Sequence, residues 1–235
     1  MLKLVLFDLD GTLLPMDQDL FIKTYFGGLA KRLAPYGYEP KKLISGILEG
    51  TMAMIKNDGS KTNEEVFWDK FSELFGEKAR LDEPKFEQFY LEDFDQAASV
   101  CGYKKEAKNL IDFIKEKGLR TILATNPIFP AVATKKRISW AGLNYEDFEL
   151  VTTYENSKFC KPNLAYYKTI LEQAKVNVEE CLMVGNDVSD DMVVTNMGMD
   201  VFLLTDCLIN RDNVDINNYP HGNFDDLFKY IENKL

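Results

Sequence analysis

The sequence predicts a doubly wound α/β fold, in which a Rossmann-like parallel sheet is interrupted by an inserted helical module. Short apolar runs recur along the chain and end in polar residues, a pattern typical of buried parallel strands. Helical patterns alternate with these runs, which favours parallel pairing through right-handed crossovers. The strand signals stop between residues 16 and 98, where helical patterns replace them.

The first predicted strand is Leu4-Val5-Leu6-Phe7, and two aspartates, Asp8 and Asp10, follow it. Residues two apart on an extended chain point the same way, so we expect both carboxylates to face the crevice at the carboxyl edge of the sheet. Two like charges so close repel each other, so they need a cation between them or one of them must hold a proton. Gly11 then allows the backbone to turn sharply.

Residues 16–98 are predicted to form a compact module of four helices. The signals are a capping aspartate, a proline at a helix start, a capping box and a final aromatic segment. In chain order these are Asp17 or Asp19, Pro40, Thr62 with Glu65, and the stretch from Pro84 to Ala98. We interpret the aromatic residues of the module as its core: Phe67, Phe71, Phe75, Phe86, Phe89 and Phe94. The α/β core then comprises residues 1–15 and 99–235.

After the module, helices and strands alternate to the end of the chain. Apolar residues at helical spacing predict helices at residues 104–117, 131–140, 163–174, 189–196 and 224–235. Short apolar runs predict strands at residues 119–124, 148–153, 181–184 and 200–205. Because all strands of a parallel sheet end at one edge, the polar residues that follow them are expected to meet there.

Composition and charge exclude several classes of function. The net charge of -10, from 28 Lys and Arg against 38 Asp and Glu, disfavours nucleic-acid binding and anionic membranes. No apolar run is long enough to span a bilayer, and the N-terminus runs into a strand rather than a signal peptide. The four cysteines form no CxxC pair, so we expect reduced thiols in a cytoplasmic protein. The only histidine, His221, argues against histidine-centred chemistry.

Four polar clusters are expected to converge at the sheet edge: Asp8 with Asp10, Thr125 with Asn126, Lys161, and Asp187 with Asp191. Three carboxylates at close range suit a hard divalent cation such as Mg²⁺: those of Asp8, Asp10 and Asp187. Thr125 and Asn126, at an expected helix start, offer an anion site, and Lys161 offers a point positive charge. A carboxylate nucleophile, a second carboxyl as acid or base, a metal ion and an ammonium group together predict phosphoryl transfer.

With these motifs the sequence resembles the haloacid dehalogenase-like (HAD) hydrolase superfamily. The motifs are Asp8-Leu9-Asp10-Gly11-Thr12, Thr125-Asn126 after a strand, Lys161-Pro162, and Gly185-Asn186-Asp187 with Asp191 four residues on. They stand in the order of the family, and the resemblance covers essentially the whole chain. It implies that the module at residues 16–98 is a helical cap, whose closure excludes water and supplies specificity.

The resemblance also implies the role of each catalytic residue. Asp8 resembles the nucleophile that forms an aspartyl-phosphate. Asp10 resembles the general acid and then the general base, with its backbone carbonyl on Mg²⁺. Thr125 resembles the phosphate-binding hydroxyl, with Asn126 beside it in the substrate site. Lys161 resembles the lysine that stabilises the nucleophile and the phosphoryl group.

The implied metal site consists of four aspartates: Asp8, Asp10, Asp187 and Asp191. Asp187 resembles a direct ligand, whereas Asp191 resembles either a ligand or a supporting residue. Asp190 is an alternative to Asp191, since the stretch is acidic throughout. Asn186 stands where some members of the family have an acidic residue.

The predicted function is Mg²⁺-dependent hydrolysis of a small phosphorylated metabolite. A phosphotransferase or mutase on the same scaffold is an alternative, because only the acceptor of the phosphoryl group differs. A non-enzymatic phospho-acceptor module is another, although receiver-like switches are shorter and have no inserted cap. Asp10 counts against a haloacid dehalogenase, because relatives of that type lack the second aspartate and a halide needs no proton to leave.

The expected partner is a small phosphorylated substrate, with no nucleic acid and no membrane. A monomer fits the sequence, which carries no signal for oligomeric state. The cap residues suggested as substrate contacts follow the first motif or carry positive charge: Asp17, Gln18, Phe21, Lys23, Lys56 and Lys61.

Overall fold

The computed structural model describes residues 1–235 and contains one six-stranded sheet. Its strands are β1 (Leu4–Phe7), β2 (Arg120–Leu123), β3 (Leu150–Val151), β4 (Cys181–Gly185), β5 (Asp200–Leu204) and β6 (His221–Gly222). All neighbours pair in parallel, in the order β3-β2-β1-β4-β5-β6. The chain therefore winds outward from β1 in both directions, which confirms the predicted α/β fold class.

Eight α-helices accompany the sheet. They are α1 (Gln18–Leu33), α2 (Pro40–Ile55), α3 (Asn63–Phe75), α4 (Lys78–Glu92), α5 (Lys105–Glu116), α6 (Ala131–Trp140), α7 (Leu164–Ala174) and α8 (Phe224–Glu232). The first four follow one another between β1 and β2 without an intervening strand. Helices thus fill the inserted stretch, while its exact boundaries as a cap stay a prediction.

Three of the four module helices begin where the sequence signals place them. The Asp17 side chain accepts a hydrogen bond from the Leu20 N–H at 3.0 Å, and Pro40 is the first residue of α2. Thr62 and Glu65 form the predicted capping box at the start of α3. Each side chain satisfies backbone N–H groups that the first helical turn leaves without partners.

Two predicted helices differ in the structure. The segment predicted from Pro84 to Ala98 is the helix α4, which already begins at Lys78, followed by a 3-10 helix over Phe94–Val100. Pro84 therefore lies inside a helix rather than at its start. The helix predicted at residues 189–196 is a 3-10 helix over Met192–Met197. It starts late because residues 187–191 form a separate turn, closed by the Asp191 N–H to the Asp187 carbonyl at 2.9 Å.

The sheet edges are shorter than the sequence suggests. The strand predicted at residues 148–153 is reduced to β3, although the Glu149 and Thr152 N–H groups still donate to β2 carbonyls. The short edge strand β6 was not predicted. It contains His221, which is exposed and therefore lies away from the buried strand ends.

Both faces of the sheet are buried by apolar residues. Val5 and Phe7 pack into a large cluster that extends into the helical module, whereas Leu4 and Leu6 pack into a smaller cluster on the other face. This alternation is the side-chain pattern of a central strand covered on both sides. Five of the six module phenylalanines are buried and Phe75 packs against them, which confirms their interpretation as core.

All four cysteines are free: Cys101, Cys160, Cys181 and Cys207. No helix combines the length and the hydropathy that crossing a bilayer requires.

Candidate active site

A cavity of about 580 Å³ lies at the carboxyl edge of the sheet. Asp8 follows β1, Thr125 follows β2 and Asp187 follows β4, so neighbouring strands deliver all three. This is the crevice where doubly wound sheets bind ligands, because the chain leaves β1 in opposite directions there. All seven predicted site residues line it: Asp8, Asp10, Thr125, Asn126, Lys161, Asp187 and Asp191.

Lys161 is the buried charge at the base of the cavity. Its side chain is 1% exposed, and Nζ donates to Asp8 Oδ1 at 2.8 Å and to Asp191 Oδ1 at 2.6 Å. Burial alone lowers the pKa of Lys161, but the charges of Asp191 and Asp8 outweigh it and raise that pKa well above the ordinary value. The lysine is therefore held as an ammonium ion between two carboxylates.

Both carboxylate oxygens of Asp8 accept hydrogen bonds, Oδ1 from Lys161 and Oδ2 from Thr12. The Thr12 hydroxyl lies 3.2 Å from Asp8 Oδ2 and 2.9 Å from Asn186 Oδ1, which ties the first motif to the end of β4. Gly11 has φ +86°, and a Cβ there would collide with the Asn186 amide. Only glycine suits this turn, for both conformational and steric reasons.

Asp10 pairs with an arginine that the sequence reasoning missed. Arg137 of α6 is fully buried, donates from Nη1 to Asp10 Oδ2, and holds its guanidinium 4.4 Å from the centre of the Phe129 ring. The other oxygen, Asp10 Oδ1, is buried without a partner. Burial raises the pKa of Asp10, the Arg137 charge lowers it in part, and the Asp8 charge adds to the rise.

A signal for Arg137 was present in the sequence. Ala133, Thr134 and Ile138 are buried and share its helical spacing, so α6 turns this face inward. A charged residue on an apolar helix face is expensive to bury alone and needs a partner. The apolar face of α6 thus predicts a buried arginine, but it does not predict that Asp10 is the carboxylate with which the arginine pairs.

Arg137→Met is expected to lower the free energy of unfolding by about 3 kcal/mol, because it leaves the Asp10 carboxylate buried without its counter-charge. Urea unfolding of purified protein measures the change. The matched control is Arg120→Met, since Arg120 pairs with Glu149 at 2.6 Å but is 40% exposed. The control is expected to lose about 1 kcal/mol or less. Equal losses in the two variants would contradict the buried pair.

Asp187 and Asp191 meet in the turn that precedes the 3-10 helix. Asp191 Oδ2 accepts a hydrogen bond from the Asp187 N–H at 3.0 Å, while Asp187 Oδ2 accepts one from Arg211 Nη1 at 2.7 Å. Their carboxylates thus face different partners, Lys161 and Arg211. The pKa of Asp191 is raised to about 7, because burial and the Asp8 charge raise it more than the Lys161 charge lowers it. Arg211 lies in the loop after β5, where no sequence pattern marks it.

Thr125 and Asn126 do not lie at a helix start, although the helix predicted at residues 131–140 is confirmed. The helix α6 begins at Ala131, whereas Thr125 lies two residues after Leu123, the last residue of β2. Two prolines, Pro127 and Pro130, lie between Thr125 and the start of α6. The residue before a proline is disfavoured in helical conformation, so the helix does not begin earlier. No helix N-terminus therefore supports an anion site here.

Thr125 and Asn126 still reach the cavity as predicted. The Thr125 carbonyl accepts hydrogen bonds from the hydroxyls of Thr152 at 2.7 Å and Tyr166 at 2.9 Å, which fixes its backbone. Asn126 Nδ2 donates to Asp190 Oδ2 at 3.4 Å, and Asn126 Oδ1 is buried without a partner. Both residues thus hold polar atoms at the base of the cavity.

The oxygen-rich edge fits Mg²⁺ by its chemistry, since carboxylates are its usual ligands and Asp10 Oδ1 lacks any partner. No three carboxylate, histidine or cysteine side chains are grouped closely enough to hold a metal ion in this conformation. Asp10 and Asp187 each pair with an arginine instead. The magnesium site formed by Asp8, Asp10, Asp187 and Asp191 therefore stays a prediction.

The helical module supplies the other wall of the cavity. Of the suggested cap contacts, Gln18 and Phe21 line it, whereas Lys61 pairs with Asp69 at 2.7 Å outside it. Asp17 caps α1, and neither Lys23 nor Lys56 is among the lining residues. Phe67 and Phe86 contribute to the wall while also packing in the module core.

The fold and the cavity define an α/β protein whose acidic sheet edge is closed over by helices. A family model described as haloacid dehalogenase-like hydrolase matches residues 2–193. The chain belongs to this family of enzymes, which confirms the resemblance of its motifs. No curated protein matches the sequence.

Solved structures of low identity share the fold along the whole chain. A HAD phosphatase from Thermococcus onnurineus is 18% identical with a TM-score of 0.59, covering 98% of both chains. A 2-haloacid dehalogenase from Pseudomonas syringae pv. Tomato is 20% identical with a TM-score of 0.66, covering 100% of both. A HAD hydrolase from Bacillus subtilis, bound to magnesium, is 20% identical with a TM-score of 0.59, covering 98% of this chain and 99% of its own.

Proposed function

We propose that the protein is a Mg²⁺-dependent phosphatase that hydrolyses a small phosphorylated metabolite through an aspartyl-phosphate at Asp8. One observation carries the proposal: the buried Lys161 ammonium contacts Asp8 and Asp191 at the base of the cavity. Nucleophile and phosphate ester are both negative, so their approach needs a fixed positive charge in a site shielded from water. Lys161 supplies that charge without having to move.

The proposed reaction has two steps on the same residues. An Asp8 oxygen forms a bond to phosphorus while the bond from phosphorus to the alcohol oxygen breaks, and Asp10 gives its proton to that oxygen. Asp10 then takes a proton from water, whose oxygen attacks phosphorus and releases inorganic phosphate from Asp8. Arg137 holds Asp10 in place through both steps.

Mg²⁺ would neutralise the charge of the phosphoryl oxygens when bound. Its proposed ligands are Asp8, Asp10 and Asp187, with Asp191 or Asp190 in support. Thr125, Asn126 and Lys161 are proposed to bind the phosphoryl group from the other side, since they line the same cavity.

Relatives of similar fold support both this activity and one competitor. The Thermococcus structure is that of a phosphatase and the Bacillus structure holds magnesium, whereas the Pseudomonas structure is that of a dehalogenase. Asp10 favours the phosphatase, because an alkoxide leaving group needs a proton and a halide does not.

Purified protein with Mg²⁺ is expected to release phosphate from 4-nitrophenyl phosphate with multiple turnovers. Chelation of Mg²⁺ with EDTA should abolish turnover, and added Mg²⁺ should restore it, because the carboxylates alone cannot neutralise the phosphoryl oxygens. Colorimetric phosphate detection measures the rate, and 2-chloropropionate tests for chloride release.

Three outcomes would contradict the proposal in distinguishable ways. Chloride release without phosphate release would identify a dehalogenase. A long-lived phosphoprotein without turnover would identify a regulatory module. Transfer of the phosphoryl group to an added sugar, with no free phosphate, would identify a phosphotransferase.

A further inference from the structure

The part of the cavity wall formed by α3, α4 and the loop after β3 is negatively charged. Four glutamates line it: Glu64, Glu83, Glu87 and Glu155. The only basic residues that line the whole cavity are Lys161 and Arg211, and both already pair with aspartates at the sheet edge. The glutamate wall therefore has no cation of its own inside the cavity.

The negative charges of Glu83 and Glu155 both act on Glu64. Glu64 forms no ion pair. Burial raises the pKa of Glu64, the charges of Glu155 and Glu83 raise it further, and the charge of Arg80 lowers it in part. The two segments meet directly, since the Glu64 N–H donates to the Tyr154 carbonyl at 2.9 Å. Like charges gathered in this way are stabilised by a cation from a ligand.

The remaining contacts of the glutamates leave this charge largely uncompensated. Glu155 Oε1 accepts the Ala131 N–H at 2.8 Å, but Oε2 is buried without a partner. Glu83 lies 3.6 Å from Arg80 Nη1. Arg80 is 41% exposed and does not line the cavity, so its charge is screened by solvent.

An aromatic surface stands beside the glutamates. Trp68 lies one turn after Glu64 on α3, and Phe86 lies one turn after Glu83 on α4. The two rings pack edge to face with centroids 5.2 Å apart, and both line the cavity. Trp68 is 2% exposed, and the guanidinium of Arg80 lies 5.9 Å from the centre of its ring. Aromatic rings next to carboxylates are the environment that binds organic cations.

We infer that the leaving group of the substrate carries a positively charged nitrogen, bound by Glu64, Glu83 and Glu155 beside Trp68. The inference rests on the proposed phosphatase function, in which Lys161 binds the phosphate end of the same molecule. The substrate is then a phosphate monoester of an amino alcohol or an amino sugar. A leaving group with its own carboxylate is excluded by repulsion from the glutamate wall.

Two matched pairs of esters test the inference: 2-aminoethyl phosphate against 2-hydroxyethyl phosphate, and glucosamine 6-phosphate against glucose 6-phosphate. We expect kcat/KM to be about tenfold higher for the aminated ester than for its partner in at least one pair. This is the effect expected when one cation leaves water and contacts carboxylates and an aromatic ring. Glu64→Gln/Glu83→Gln should reduce this ratio to about twofold or less. The control Glu73→Gln, an exposed residue of α3 outside the cavity, should keep it.

The outcomes separate this inference from the proposed function. Hydrolysis of 4-nitrophenyl phosphate without preference for either aminated ester would overturn the inference and leave the phosphatase standing. An unchanged preference in the glutamate variant would overturn it as well. No phosphate release from any ester by folded protein would overturn the proposed function and this inference together. Should the double variant fail to fold, Glu64→Gln alone serves, because that side chain has no ion pair to lose.

Discussion

Asp8→Asn is expected to lower kcat for phosphate esters by at least about 10³-fold while the protein stays folded. The amide has nearly the shape of the carboxylate but cannot act as the nucleophile. Folding should survive because Lys161 keeps Asp191, at 2.6 Å, as its counter-charge. Phosphate release and the thermal unfolding midpoint measure the two effects.

A matched control makes the same Asp→Asn change at a site outside the cavity. Asp225→Asn alters the same side chain at an exposed site on α8, outside the cavity. Its turnover should equal that of the unmodified protein. Near-normal turnover by a folded Asp8→Asn variant would rule out Asp8 as the group that takes the phosphoryl group.

Lys161→Met is expected to lower both stability and activity. The free energy of unfolding should fall by about 3–5 kcal/mol, because Asp8 and Asp191 are then buried together without a counter-charge. The kcat should fall at least about 10²-fold, because the positive charge that faces the phosphoryl group is lost. Urea unfolding and steady-state kinetics measure these changes independently.

A second substitution separates the two effects of Lys161. In Lys161→Met/Asp191→Asn the neutral amide no longer needs a counter-charge, so part of the stability should return. Activity should not return, because the cavity still lacks its ammonium ion. Full stability in Lys161→Met alone would mean that the buried ion pairs with Asp8 and Asp191 do not form.

The sheet and the strand-end residues were predictable because simple rules govern them. A buried apolar run followed by an aspartate places that aspartate at the carboxyl edge, as found for Asp8 after β1 and Asp187 beyond β4. Because β1 and β4 are parallel neighbours, their carboxyl ends lie side by side, and this does not depend on the exact helix boundaries. The family motifs added Thr125 and Lys161, whose proximity no periodicity could show.

The partners of these residues were not predictable in the same way. Arg137 and Arg211 reach their aspartates from a helix and a loop that are distant along the chain, so their contacts depend on tertiary packing. The anion site expected at Thr125 was also misjudged, because two prolines separate this residue from the start of α6. The glutamate wall is invisible in sequence, since it forms only where the start of α3 packs on the loop after β3, through the Glu64 N–H and the Tyr154 carbonyl.

The transfer of a phosphoryl group to Asp8 is tested most directly by trapping it. Acid quenching during turnover, followed by borohydride reduction, converts an aspartyl-phosphate to homoserine, which peptide mass spectrometry locates in the sequence. We predict homoserine at position 8 in protein quenched with substrate and Mg²⁺, and none in the Asp8→Asn variant. Homoserine at another aspartate, or an unmodified Asp8 in protein quenched while the phosphoryl form accumulates, would contradict the account.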